Sequence, residues 1–128
     1  MKNKYLLDTN VVIYFFNGLT DDRSLVEILR SSFNISIITK IEFLSWQKLL
    51  SDVALNDKAI EFISNATVYE LDEVVANRTI INRQQYKIKT PDAIIGATAQ
   101  VHGFEIVTNN VDDFKMLDLK VTTVELKE

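Results

Sequence analysis

Four short segments carry side chains that could act together on a phosphate. Asp8 closes the apolar run Tyr5-Leu6-Leu7 and is followed by Thr9-Asn10. Glu42 follows Thr39-Lys40-Ile41, and Asp92 follows Lys89-Thr90-Pro91. Asn110, Asp112 and Asp113 follow Thr108-Asn109. Carboxylates gathered in one place repel one another, and burial raises their pKa values. A divalent cation relieves both problems. Oxygen-only donors, in a chain with one His and no Cys, select Mg²⁺ or Mn²⁺ over zinc. A cation held in this way suits phosphoryl chemistry. Each acid also has a purely structural reading. Asp8 could cap a helix starting at Val11, and Asp92 at N2 could favour a helix dipole. Glu42 and Asp112 read as solvated residues, and Asp113 as a cap of the turn carrying Phe114 and Leu117. Only their joint placement argues for a site.

That placement follows from the elements between them. Apolar runs at Tyr5–Leu7, 35–38, 67–71, Glu105–Val107 and 120–124 read as strands. Helical spacing is carried by Leu25, Ile28 and Leu29 in 24–30, and by Phe43, Leu44, Trp46, Leu49 and Leu50 in 41–50. Phe43 and Trp46 read as core. The stretches 58–63 and 74–86 continue the pattern. Residues 91–101 are apolar on nearly all sides, which predicts a buried helix with Thr90 as N-cap, Pro91 at N1 and Gly103 as its stop. Strands alternating with helices predict an α/β fold with a mainly parallel sheet. Ligands of such sheets bind beyond the carboxyl ends of the strands. Right-handed crossovers start the following helices on that same edge. The segments bearing Asp8, Glu42, Asp92 and Asp113 therefore converge there.

A chain of 128 residues fits one domain, taken as 1–128, and 47% hydrophobic with 25% charged residues is a globular balance rather than a disordered one. The lack of Cys excludes a disulfide framework, a thiolate metal site and a thiol nucleophile. A single His excludes a multi-histidine zinc site, and His102 reads as the end of a helix. The net charge of -4 argues against a generally basic nucleic-acid coat. Locally, however, Arg78, Arg83, Lys87 and Lys89 form a basic run leading to Asp92, suited to phosphate contacts. The start Met1-Lys2-Asn3-Lys4, with Tyr5-Leu6-Leu7 before Asp8, is too short for a signal-peptide core. No apolar run approaches the ~20 residues of a membrane span. A cytoplasmic protein without a membrane partner is expected.

These residues resemble the PIN-domain ribonucleases, specifically the VapC-type toxins of toxin–antitoxin pairs. Tyr5-Leu6-Leu7-Asp8-Thr9-Asn10 resembles the family's first motif, and Ile38-Thr39-Lys40-Ile41-Glu42-Phe43 its second. The run from Lys89 through Asp92 and Gly96 to Ala99 resembles the third and is the most specific, and Thr108 to Phe114 resembles the fourth. The resemblance covers nearly the whole chain. It implies an α/β, PIN-like three-layer fold with a central, mainly parallel sheet of four to five short strands flanked by helices.

The implied activity is endonucleolytic hydrolysis of RNA with Mg²⁺, or Mn²⁺, at Asp8, Glu42, Asp92 and Asp113. Thr9, Asn10, Thr108 and Asn110 would support these acids, and Arg83, Lys87 and Lys89 would hold RNA. Asn110 stands where many relatives carry Asp, with Asp113 available to supply the charge. Gly96 stands where relatives usually carry Ala. The implied partners are a small antitoxin and a second copy of the chain, with residues 25–29 and 44–50 as candidate docking surfaces. Two other readings compete. One is a PIN-like binding module weakened by Asn110. The other is an acidic-pocket phosphotransfer enzyme, for which Asp8-Thr9-Asn10 lacks the usual second acid.

Overall fold

Among the described residues, five short parallel strands form the middle of the fold and seven α-helices cover them. The computed structural model describes residues 4–127; residues 1–3, on which most of the reading of the N-terminal start falls, lie outside the described residues. In chain order the elements are β1 (Tyr5–Leu7), α1 (Thr9–Phe16), α2 (Arg23–Ser31), β2 (Asn34–Ser36) and α3 (Ile37–Leu44). A 3₁₀ turn (Gln47–Leu50), α4 (Val53–Ser64), β3 (Thr67–Tyr69) and α5 (Glu73–Gln85) follow. The chain continues with α6 (Thr90–His102), β4 (Glu105–Val107), α7 (Val111–Lys115) and β5 (Val121–Thr122).

The ladders run β1-β4-β5 and β2-β3, with Leu6 opposite Ile106 and Leu7 opposite Val107. Strands β1 and β2 lie side by side, and a buried side chain joins them. The Asn34 amide donates to the Tyr5 carbonyl at 2.9 Å and to Ser32 Oγ at 2.9 Å. Alternation along the strands separates two cores. Leu7, Ile35 and Val107 face α1, α2, α3 and α4 through Val11, Leu25, Phe43 and Ile63. Leu6 and Ile106 face α6 and α7 through Ile95, Ala99 and Phe114. The result is the three-layer arrangement expected from the sequence.

Several boundaries differ from the sequence reading, each for a local reason. Ser36 ends β2 because its hydroxyl accepts from Ile38 N–H and caps α3, so the helix starts at Ile37. Glu42 therefore stands in the second turn of α3, and the helix ends at Leu44 rather than running to residue 50. In α6 the Lys89 carbonyl accepts Ala93 N–H at 2.9 Å, so Lys89, not Thr90, is the N-cap, and Asp92 falls at the third helical position. Gly103 ends α6 in the left-handed conformation, φ 73°. Leu25 and Ile28 are core residues, which leaves Val26 and Leu29 as the part-exposed apolar positions of 25–29. Trp46, expected in the core, is 39% exposed, and Leu50 is 90% exposed beside it.

Gly96 lets α6 approach the turn after α7. A Cβ at this position would clash with Leu117 Cδ1. The Leu117 carbonyl is itself held by Gln100 Nε2 at 3.0 Å, one helical turn further along α6. Gly96→Ala is expected to destabilise the chain by about 1 kcal/mol, because overpacking outweighs the gain in helix propensity. In a Leu117→Ala background the same change should become stabilising. Urea titration of the four proteins measures the reversal of sign.

Candidate active site

Asp8 is placed by the end of β1 and the start of α1 together. Its backbone N–H continues the ladder to the Val107 carbonyl at 2.9 Å. Its side chain caps α1, with Oδ1 accepting Thr9 N–H at 2.8 Å. The capping reading of Asp8 is thus fulfilled, with the helix beginning at Thr9 rather than Val11. Oδ2 accepts from Thr108 Oγ1 at 2.7 Å, across from the end of β4. Asp8 is only 4% exposed. Burial pushes its carboxyl above the ordinary value of 3.8; the Thr108 and Thr9 hydrogen bonds hold it back, and the charges of Glu42 and Asp113 push it further up.

Thr108 is the hub of this edge. Besides donating to Asp8, its hydroxyl accepts from Asn110 N–H at 2.9 Å and from Asn10 Nδ2 at 3.4 Å. Thr9 turns the other way and donates to Glu42 Oε1 at 2.6 Å, while its hydroxyl lies 3.0 Å from that of Thr39. Asn110 sits at the N-cap position of α7, and its amide donates to Asp113 Oδ2 at 3.0 Å. Asp113 therefore does not cap the turn as the sequence suggests; it stands inside α7 and is held from behind by Asn110. Asp92, in the first turn of α6, has its carboxyl pushed up to about 6. Burial is the main cause, followed by the charges of Asp8, Asp113 and Glu42, while Lys89 pulls the value down.

The four acids thus act on one another electrostatically, and among the described residues none of them forms a salt bridge. No three Asp, Glu, His or Cys side chains of the described residues close on one point as a ready cage. This arrangement is compatible with Mg²⁺, which is commonly held by one or two carboxylates and keeps several waters. The all-oxygen donor set fits the same cation. Asn10 Oδ1, buried and without a hydrogen-bond partner, adds an acceptor at this edge.

A groove of about 700 Å³ opens over Asp92, Asn110 and Asp113. Arg83, Tyr86, Lys87, Ile88 and Lys89 line the same groove, so three of the four cations of the basic run share it with Asp92 and Asp113, while Asp8 and Glu42 are not among its lining residues. Arg83 has a second duty, since its Nε donates to the Ile88 carbonyl at 3.2 Å and fixes the α5–α6 connection. Arg78 does not line this groove. It donates to Gln100 Oε1 at 3.3 Å, where Asn82 Nδ2 also donates at 2.9 Å. Gln100 thereby ties α5 and α6 to the turn after α7. Sequence reading missed Gln100, whose partners are 17 to 22 residues away. It also missed Tyr86, although an aromatic interleaved among Arg83, Lys87 and Lys89 was a usable signal.

Comparison with known proteins agrees with this architecture. The family profile of the PIN domain matches residues 5–119. Ribonuclease VapC1 of Rickettsia felis is 41% identical over 64 residues, covering 47% of this chain and 48% of that protein, so the match spans about half of the relative's length. A toxin–antitoxin complex from Klebsiella pneumoniae contains a chain 32% identical, with 87% of this chain and 90% of that one aligned at a TM-score of 0.72. VapBC2 from Rickettsia felis, bound to a DNA fragment from its promoter, shares the fold at 19% identity; 94% and 98% of the chains align, with a TM-score of 0.81.

Proposed function

The chain belongs to the PIN domain family, and from that premise we propose that it is a metal-dependent endoribonuclease of the VapC kind, the toxin of a toxin–antitoxin pair. The observation that carries this reading is the groove that Arg83, Lys87 and Lys89 share with Asp92 and Asp113. The cations neutralise the phosphates of an RNA strand, and the acids lie where the strand is drawn. Asp8 and Asp92 would be the principal ligands for Mg²⁺ or Mn²⁺, with Glu42 and Asp113 acting through the waters that the cation keeps. When bound, such a cation supplies electrophilic assistance to the phosphate and acidifies a water for attack.

The side chains of this protein do the rest. Thr108 and the Thr9 N–H lock both Asp8 oxygens, so the carboxylate keeps one orientation. Glu42, steadied by Thr9, orients the attacking water and accepts its proton. Asn110 holds Asp113 by its amide, which supports an enzyme rather than a weakened binding module, since the charge missing at position 110 stands at 113. The Klebsiella pneumoniae relative, a chain of a toxin–antitoxin complex, supports a protein antitoxin as partner. Exposed Trp46 and Leu50 are a candidate surface for the antitoxin or a second copy of the chain. Among the described residues no helix is long and apolar enough to cross a membrane, and the proposed place of action is the cytoplasm, where RNA is met.

The test is cleavage of a total RNA pool by purified protein with Mg²⁺ or Mn²⁺ and with chelator, beside the Asp92→Asn variant. Discrete fragments that require both metal and Asp92 are expected. Equal cleavage by the two proteins would overturn the assignment. The groove cations have their own readout. Lys87→Glu with Lys89→Glu should weaken RNA binding and flatten its dependence on salt, the logarithmic slope falling by about one for each phosphate no longer neutralised. An unchanged salt slope would reduce these lysines to surface residues.

A further inference from the structure

One groove residue has no part in the chemistry described above. Tyr86 lines the groove together with Arg83, Lys87 and Lys89 and with Asp92 and Asp113. Of the four tyrosines in the chain it is the most open to solvent, at 37%. Tyr69 is packed on His102 and Phe104, with ring centroids 4.7 Å and 5.2 Å away. Tyr5 and Tyr14 pack against the core. Among the described residues no other ring stacks on Tyr86.

The backbone beneath this ring is held firmly. Tyr86 is the C-cap of α5 in extended conformation, φ −135° and ψ 152°. Its N–H donates to the Asn82 carbonyl at 2.9 Å, and its carbonyl accepts Ile88 N–H at 3.1 Å. Ile88 is buried as a plug, and the Arg83 guanidinium clamps the Ile88 carbonyl. A half-exposed aromatic on an ordered turn, between cations and beside an acidic site, has the makings of a stacking platform. Phosphate-binding cations track a strand without reading it, while an aromatic face takes up a base that is not already stacked in a duplex.

Resting on the ribonuclease reading, we propose that Tyr86 stacks on an unpaired nucleobase of the RNA next to the phosphate that is cut, and so sets a preference for single-stranded over duplex substrate. The hydroxyl is dispensable to this role and the ring is not. The interaction belongs to binding rather than to the proton transfers.

The experiment is fluorescence anisotropy with a labelled eight-nucleotide single-stranded RNA in chelator, so that binding is read without cleavage. Tyr86→Ala is expected to weaken binding by about 5- to 30-fold, and Tyr86→Phe and Tyr86→Trp to stay within about twofold of wild type. A series of RNAs with one abasic nucleotide should contain a member that costs wild type the same factor and costs Tyr86→Ala nothing further. The same sequence as a duplex should bind both proteins equally. Equal single-strand affinity of wild type and Tyr86→Ala overturns the proposal, as does an equal loss on duplex and single strand. Metal-dependent cleavage of total RNA that persists in such a case leaves the ribonuclease reading standing. RNA that neither binds nor is cut by wild type overturns both. Unchanged thermal unfolding of Tyr86→Ala is expected, because the turn is held by backbone bonds and Arg83.

Discussion

Asp92→Asn is expected to reduce RNA cleavage by about a thousandfold or more, the scale of losing a group that fixes transition-state charge, and at the same time to stabilise the metal-free protein. The second half follows from electrostatics. In the folded chain the Asp92 carboxyl titrates at about 6, against an ordinary value of 3.8. Between those values the folded state holds more protons than the unfolded one, so stability falls as pH rises through the window and is level above it. The contribution of protonated Asp92 is complete below 3.8 and gone above about 6. An amide carries no such penalty. At pH 7.5 in chelator the variant should be more stable by about 1–2 kcal/mol, the full shift being reduced because the group is only half-buried. At pH 4 the two proteins should be nearly equal. Added Mg²⁺ should then raise the stability of wild type by mass action and leave the variant unmoved. Urea titrations at the two pH values, with and without Mg²⁺, read all of this. A variant less stable than wild type at pH 7.5 would show that Asp92 is a structural helix-start residue rather than a strained ligand.

Two of the acids could be singled out in the sequence because one directly follows a strand and the other opens a helix, where type and spacing are local signals; Glu42, in the second turn of α3, and Asp113, inside α7, have no such signal. Asp8 after Leu6-Leu7 and Asp92 after Thr90-Pro91 are of this kind. Element order was legible for the same reason. Boundaries were less so, because single hydrogen bonds decide them: the Ser36 hydroxyl moves the start of α3, and the Lys89 carbonyl moves the cap of α6. The resemblance put Thr9 and Thr108 among the supports of the acids, but which acid each hydroxyl meets was not legible. Thr108 meets Asp8 over a separation of 100 residues, and Thr9 meets Glu42 over 33. Gly96 could be noted as out of place for a helix, but only the approach of Leu117 explains it. Exposure was misjudged at Trp46, where helical spacing continued on paper past Leu44, but the helix had already ended there.

Thr108→Val keeps the shape of a fully buried side chain and removes its hydroxyl. That hydroxyl serves three groups: Asp8 Oδ2 accepts from it, and Asn110 N–H and Asn10 Nδ2 donate to it. Leaving buried polar groups without a partner costs about 1–3 kcal/mol each, so a loss of at least about 3 kcal/mol in stability is expected. The deficit should depend on pH. The Thr108 hydrogen bond lowers the pKa of Asp8 against the burial that raises it, so without it the ionised form is penalised further. The stability gap between variant and wild type should therefore widen as pH rises and Asp8 ionises. Cleavage should fall by about 10- to 100-fold, the usual consequence of freeing a metal-binding carboxylate from the group that orients it. The acid limb of the rate profile should move to higher pH, because a larger share of Asp8 stays protonated. Thr108→Ser, which restores the hydroxyl, should recover both the rate and the profile. A valine variant with lowered stability but an unshifted profile would mean that Thr108 only packs the junction of β1 and β4. A shifted profile rescued by serine would identify it as the residue that sets the charge and direction of Asp8.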